Sequence, residues 1–191
     1  MINNSFASLI FGVCLLLSGC VTVVDAVSDK PIQPDPTKRS FGTYLDDKQL
    51  RTIVAVNIRK ASPDFGGLNL NVYTYNGLVL LTGEVPTPDL RTLAGDTARK
   101  VNRTRQVYNE LQIAPQRSFF DNTKDAWLRT KIKTKLMFFR DIDSSRVELF
   151  VENRTVYLMG LLSQAQTEKI TNVVRKQHGV RKVVRAIEYI D

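Results

Sequence analysis

The feature that most constrains this chain is an internal repeat of about 70 residues, because each copy must form the same small unit. Asn76-Gly77 precedes Gly83 in the first copy, and Asn153-Arg154 precedes Gly160 in the second, with the same spacing. Turn residues between two apolar runs are typical of a β-hairpin. Hydrophobic periodicity then predicts helix, strand, strand, helix, strand in each copy.

This pattern predicts an α+β fold of two tandem domains, residues 46–114 and 115–191. In each, two helices are expected to cover one face of a small three-stranded mixed sheet. In the first copy, Leu50, Ile53, Val54 and Ile58 are expected to face the core. The predicted elements are helices 46–60 and 88–100 with strands 68–75, 78–82 and 107–113, then helices 123–139 and 164–177 with strands 147–151, 156–159 and 183–189.

The N-terminus carries the signal of a bacterial lipoprotein. An apolar run at residues 10–17 is too short to span a bilayer, and it ends in Leu17-Ser18-Gly19-Cys20, which matches a lipobox. We therefore expect residues 1–19 to be removed as a signal peptide and Cys20 to be acylated; a plain signal peptide is the alternative. Residues 1–11 lack the usual Lys or Arg. Cleavage also removes Cys14, which leaves no disulfide partner.

Residues 20–45 link Cys20 to the repeats. Pro31, Pro34 and Pro36 predict an extended, semi-rigid tether. Val21 follows the cysteine where an aspartate would favour retention at the inner membrane in lipoprotein sorting. We therefore expect the protein at the inner leaflet of the outer membrane, facing the periplasm.

Positive charge is concentrated in the second copy. The whole chain carries a net charge of +8, and residues 115–191 hold 15 Lys and Arg against 9 Asp and Glu. Such a region suits a membrane surface, a nucleic acid or an acidic protein. Nucleic acid is disfavoured because the lipobox directs the chain to the periplasm.

The helix at 123–139 is predicted to have two distinct faces. Leu128, Ile132, Leu136 and Phe139 form a normal core stripe, whereas Trp127 lies more than a third of a turn away. Tryptophan suits the bilayer interface, and nearby lysines are attracted to an anionic leaflet. Burial of Trp127 and Phe138 against the first copy is the alternative. The candidate site for anionic lipid comprises Phe120, Lys124, Trp127, Arg129, Lys131, Lys135 and Phe138.

Catalytic and metal-binding motifs are missing from the sequence. His178 is the only histidine and lies at a predicted helix end, where the macrodipole favours it. Asp141 and Asp143 lack the further oxygen ligands of a calcium loop. We therefore expect no catalytic residue, metal or cofactor.

The repeat, the paired glycines and the ending Gly179-Val180-Arg181-Lys182-Val183 resemble the BON domain. The first copy departs from this ending at Thr104-Arg105-Gln106-Val107. Two copies behind a lipobox are similar to dual-BON outer-membrane lipoproteins. The resemblance implies a role in outer-membrane integrity, enrichment at the division site, and anionic phospholipids such as phosphatidylglycerol or cardiolipin as ligands. The alternative function is a protein adaptor for the β-barrel assembly machinery, with Tyr73 and Tyr75 of the first copy as the expected contact surface.

Overall fold

The computed structural model describes residues 35, 38–114, 122–138, 143 and 146–190. The predicted leader, Cys20 and most of the tether lie outside these residues. Phe120, Phe139 and Asp141 also lie outside them, so the expectations for these side chains stay predictions.

The first module forms between residues 41 and 113. Its first helix begins five residues before the predicted start, because the Ser40 Oγ caps it by accepting a hydrogen bond from the Thr43 N–H at 3.1 Å. Its elements are α1 (Phe41–Ala61), a short 3-10 helix (Pro63–Phe65), β1 (Leu70–Tyr75), β2 (Leu78–Val85), α2 (Pro88–Arg99), β3 (Gln106–Asn109) and β4 (Gln112–Ile113).

The second module repeats this order. Its elements are α3 (Asn122–Met137), β5 (Val147–Glu152), β6 (Thr155–Leu162), α4 (Gln164–Arg175) and β7 (Lys182–Tyr189). Ser163 and Gln166 form a reciprocal capping box at the start of α4. The predicted α+β class, two tandem modules with small mixed sheets, is confirmed.

Both sheets have the second hairpin strand at their centre. β1 pairs antiparallel with β2, which pairs parallel with β3 and β4. In the second sheet β5 pairs antiparallel with β6, and β6 pairs parallel with β7. The predicted single strand at 107–113 is interrupted after Asn109, where the Glu110 N–H donates to the Leu81 carbonyl at 2.9 Å and Leu111 turns into the core.

Gly83 and Gly160 occupy equivalent places, as the spacing predicts. Gly83 pairs with Leu70 on β1, and Gly160 pairs with Val147 on β5. A Cβ at Gly83 would overlap the carbonyl oxygen of Asn69, and a Cβ at Gly160 would overlap that of Arg146. Close backbone approach therefore requires glycine at both positions.

Each module has a core between its helices and one face of its sheet. In the first module Leu50, Val54 and Ile58 of α1 pack with residues of α2 and the inner sheet face. Ile53 was predicted to face this core but is 40% exposed, because positions 50, 54 and 58 already supply the buried stripe. Leu93 of α2 is 36% exposed.

A third apolar cluster joins the two modules. It is formed by the opposite faces of the two sheets, so the layers run helices, sheet, sheet, helices, and α1 and α3 lie on opposite outer layers. The buried members of this cluster are Tyr75, Leu78, Leu80, Tyr157, Met159, Leu161, Val184 and Ala186.

The intermodule cluster contains the two tyrosines that were expected to form an exposed adaptor surface. Tyr75 is fully buried, and the Tyr73 ring stacks on Phe150 of the second module with centroids 3.9 Å apart. The prediction of a free tyrosine surface is therefore wrong, because the second sheet covers it. Ion pairs at the edge of the contact link Arg39 with Glu148, Arg105 with Glu188, and Lys182 with Glu110.

Candidate functional site

The helix α3 has one buried face and one exposed face that carries large apolar side chains. Leu128, Ile132 and Leu136 are at most 3% exposed and belong to the second-module core. Trp127 is 62% exposed and Phe138 is 81% exposed. The alternative that these two rings are buried between the modules is therefore wrong, because the sheets make that contact instead.

Lysine side chains lie on the same side of α3 as the exposed Trp127. The Lys131 Nζ lies 5.1 Å from the centroid of the Trp127 ring, which is a cation–π distance. Trp127, Lys131, Lys135 and Phe138 follow one another at intervals of four, four and three residues, so they share one side of the helix. Lys124, three residues before Trp127, is exposed on the same side.

Arg129 is separated from this group. Its Nε donates a hydrogen bond to the Leu149 carbonyl at 3.0 Å, and its guanidinium lies 5.6 Å from the Phe150 ring. Both contacts are with β5, so Arg129 lies along the flank of α3 that faces the sheet. Arg129 therefore helps to hold α3 against the sheet and does not belong to the side of the helix that carries Trp127.

Sequence reasoning missed Met137, which is 66% exposed at the end of α3. The signal was available, since Met137 directly follows Leu136 of the predicted core stripe, and only one of two adjacent positions can face the core of a helix. The exposed residues of this side and the half-buried Lys131 are called the α3 surface below: Lys124, Trp127, Lys131, Lys135, Met137 and Phe138.

The start of α3 is fixed to the hairpin of its own module. The Asp125 carboxylate accepts hydrogen bonds from the Asn153 N–H at 2.6 Å and from the Arg154 N–H at 3.0 Å. These are the two turn residues between β5 and β6. Because a carboxylate that accepts two backbone N–H groups is held firmly, the first turn of α3 has a defined position on the sheet.

In the first module an aspartate also binds the backbone N–H groups of the hairpin turn. Asp47 accepts hydrogen bonds from the Asn76 N–H at 2.7 Å and from the Gly77 N–H at 2.9 Å. Asp47 and Asp125 are therefore equivalent, and this equivalence sets the register between α1 and α3.

In that register the first module lacks the α3 surface. Gln49 occupies the place of Trp127, Ile53 that of Lys131, and Asn57 that of Lys135. Asp46 replaces Lys124 and forms an ion pair with Arg103 at 2.7 Å. Of the two modules, only the second therefore has an exposed indole with lysines on the same side of its first helix.

Two other kinds of feature are absent from the part of the chain that the structure describes. No helix there is long and apolar enough to cross a bilayer. Among those residues there is also no group of three His, Cys, Asp or Glu side chains that could hold a metal ion.

The fold and the α3 surface together define a class: a tandem α+β protein with two equivalent modules, one of which presents a basic and aromatic helix. The model of the BON domain matches residues 46–115 and 124–191. The chain belongs to the BON-domain family.

Relatives extend this similarity over nearly the whole chain. The outer membrane lipoprotein DolP of Haemophilus influenzae is 34% identical over 187 residues, which cover 96% of this chain and 95% of that protein. A 21 kDa hemolysin of Actinobacillus pleuropneumoniae is 34% identical over 161 residues, or 84% of this chain and 81% of that protein. The similarity supports a DolP-like outer-membrane lipoprotein with two BON domains.

Among solved structures, the C-terminal domain of CdsD, a structural protein of the type III secretion system of Chlamydia trachomatis, is 13% identical with a TM-score of 0.31. The match covers 76% of this chain and 67% of that chain.

Proposed function

We propose that this chain is a non-catalytic outer-membrane lipoprotein that binds anionic phospholipid through the α3 surface. The observation that carries the proposal is the exposed indole of Trp127, with the Lys131 ammonium beside it, on a helix whose opposite face is already committed to the core.

The physical basis is a shallow contact with the headgroups. Tryptophan is favoured at the membrane interface because its ring is apolar while its N–H stays hydrated. Each lysine near an anionic leaflet contributes about 1 kcal/mol. The helix is too polar to insert fully, so it lies in the headgroup region with Trp127, Met137 and Phe138 directed towards the acyl chains.

The lipid anchor supplies a second, independent contact. Acyl chains on Cys20 hold the chain at the leaflet, and each buried methylene contributes about 0.8 kcal/mol. The tether then raises the effective concentration of the α3 surface at the same leaflet, so that a weak headgroup contact becomes significant. Phosphatidylglycerol and cardiolipin are the proposed ligands, and enrichment at the division site follows wherever such lipids gather.

Vesicle co-sedimentation tests the proposal. The chain from residue 20 with Cys20→Ser removes the contribution of the acyl chains. We expect binding to phosphatidylglycerol vesicles, weak binding to phosphatidylcholine vesicles, and a loss of at least about tenfold for Trp127→Glu, corresponding to 1.4 kcal/mol. Gln49→Glu, at the equivalent position of the first module, is the matched control and should bind as the parent chain does.

Two results would reject the proposal. One is equal binding to anionic and zwitterionic vesicles, and the other is unchanged binding of Trp127→Glu.

Protein adaptor activity towards the β-barrel assembly machinery is the second candidate function. Because Tyr75 is buried and the Tyr73 ring stacks on Phe150, such a contact would use another part of the first module. The exposed apolar residues of α1 favour this candidate.

A further inference from the structure

The outward side of α1 carries an apolar stripe. Phe41 is 76% exposed, Leu45 is 49% exposed, and Ile53 and Val56 are each 40% exposed. The apolar Phe41, Leu45 and Val56, with the polar Gln49 and Thr52 between them, recur at intervals of four, four, three and four residues, which is the spacing of a seam that receives a second helix. The α1 stripe is defined here as these five positions and Ile53.

The stripe has a groove along one edge. A cavity of about 420 Å³ lies between α1 and the segment that follows α2, and its lining includes Gln49, Ile53, Asn57, Lys100 and Arg103. A helix laid on the stripe could place one side chain into this groove beside Ile53. Helix-in-groove recognition uses anchors at this kind of spacing.

The charges around the stripe are positive. α1 contains Lys48, Arg51, Arg59 and Lys60, and Lys100 lies at the edge of the groove. The two carboxylates of α1 are both engaged. Asp46 pairs with Arg103, and Asp47 is 3% exposed and binds the hairpin turn. The surface therefore attracts carboxylates.

Three kinds of occupant differ in how well they fit the α1 stripe. A second copy of this chain would bring two basic stripes together, which like-charge repulsion disfavours. A flat leaflet bound to the α3 surface cannot also meet α1, because two sheets about 10 Å apart separate the two helices. A protein helix with an apolar seam and acidic flanks can pack on the α1 stripe and pair with the Lys and Arg residues around it.

We propose that the α1 stripe binds an amphipathic helix of a protein partner, with an apolar seam flanked by Glu or Asp. The leaflet is excluded as the ligand of the α1 stripe only if α3 binds the leaflet, so this inference rests on the proposed function. In this arrangement α3 lies on the lipid and α1 faces the periplasm, so the chain links a membrane surface to a soluble or membrane-anchored protein.

Two synthetic helical peptides with the same leucine seam test this inference, one flanked by glutamates and the other by lysines. Each is titrated into the chain from residue 20 with Cys20→Ser, and backbone amide shifts are followed by NMR. We expect the glutamate peptide to shift residues 41–60 and 100–103 and the lysine peptide to shift none of them.

The variant Phe41→Ser/Leu45→Ser should weaken binding of the glutamate peptide by at least about tenfold, or 1.4 kcal/mol. Both side chains are exposed, so the fold should persist. Leu93→Ser, an exposed apolar residue on α2, is the matched control and should leave the affinity unchanged.

Three outcomes would overturn the inference. They are equal binding of both peptides, shifts confined to α3, and self-association in sedimentation velocity that Leu45→Ser abolishes. Vesicle binding is measured separately. If the double serine variant lost binding to phosphatidylglycerol while Trp127→Glu kept it, the leaflet would be the occupant of α1 and both proposals would fail. If Trp127→Glu left binding to phosphatidylglycerol vesicles unchanged and the double serine variant did too, only the lipid function of α3 would fail.

Discussion

The Tyr73 phenol of the first module donates a hydrogen bond to the Glu152 carboxylate of the second, with 2.7 Å between the two oxygen atoms. Asn71 donates to the same carboxylate oxygen at 3.0 Å. Burial raises the pKa of Glu152 above its ordinary value, the nearby charge of Asp125 adds to this, and the hydrogen bonds from Tyr73 and Asn71 oppose it. A titratable group therefore lies within the contact between the modules.

The first prediction concerns pH. Because the folded state raises the pKa of Glu152, it binds this proton more tightly than the unfolded chain does, and the associated stability is lost as pH rises through the folded pKa. Denaturant unfolding of the parent chain and of Glu152→Gln between pH 4 and pH 7 isolates this group. We expect the free energy of unfolding of the Gln variant to increase relative to that of the parent as pH rises. A difference that is constant, or that changes in the opposite direction, contradicts the assignment.

The second prediction concerns the α3 surface and uses three lysines of one helix. Lys131→Gln/Lys135→Gln removes two charges from the side of Trp127, so binding to phosphatidylglycerol vesicles should weaken by about 2 kcal/mol, or roughly 30-fold, at low salt. Added salt should reduce the difference between this variant and the parent chain. Lys133→Gln, whose side chain lies away from Trp127, is the control and should have much less effect. Because the control removes one charge and the double variant two, a loss for Lys133→Gln of about half that of the double variant would mean that net charge alone governs binding.

The third prediction uses the equivalence of Asp47 and Asp125. Either change to alanine leaves two backbone N–H groups of a hairpin turn without their carboxylate, at a cost of about 1–3 kcal/mol in the free energy of unfolding. Urea unfolding measures this loss. Only Asp125→Ala should also weaken vesicle binding, because only its helix carries the α3 surface. A comparable weakening by Asp47→Ala would show that the first module takes part.

The fourth prediction concerns the central strands. Gly83→Ala and Gly160→Ala place a Cβ against the backbone carbonyl of the residue just before the neighbouring strand, so each should lower the free energy of unfolding by more than about 3 kcal/mol. Gly67 is the control, because it has a positive φ of 76°, as Gly83 has one of 115°, but no atom lies within 4 Å of an added Cβ. Gly67→Ala should cost only about 1–2 kcal/mol. Thermal unfolding of the three variants provides the comparison.

Much of each module could be predicted from local patterns. The turn residues at 76–77 and 153–154 and the glycines at 83 and 160 gave the repeat, and the four-residue spacing of Leu128, Ile132 and Leu136 gave the buried side of α3. Errors within the modules concern helix ends, single positions and the predicted strand 107–113, which is interrupted after Asn109. α1 begins at Phe41 because a serine cap lies before it, and Ile53 is exposed because neighbouring positions fill the core.

The contact between the modules was missed, although it had a signal. Leu78–Val85 and Thr155–Leu162 contain long apolar runs with little alternation, which is typical of strands buried on both faces. Such runs predict that something covers the second face. They do not say that the other module covers it, because both sheets have the same pattern and either could be covered by a different protein.

By itself, the sequence determined two BON modules, their hairpins, the buried side of each helix and the unusual position of Trp127, because these follow from spacing along the chain. Only the tertiary structure decided which aromatic side chains are exposed to solvent. Tyr73 and Tyr75 are covered and Trp127 is exposed, since burial depends on contacts between residues about 80 positions apart, such as Tyr73 with Glu152. The same contacts place α1 and α3 on opposite outer layers, and that separation is what gives the protein two distinct surfaces.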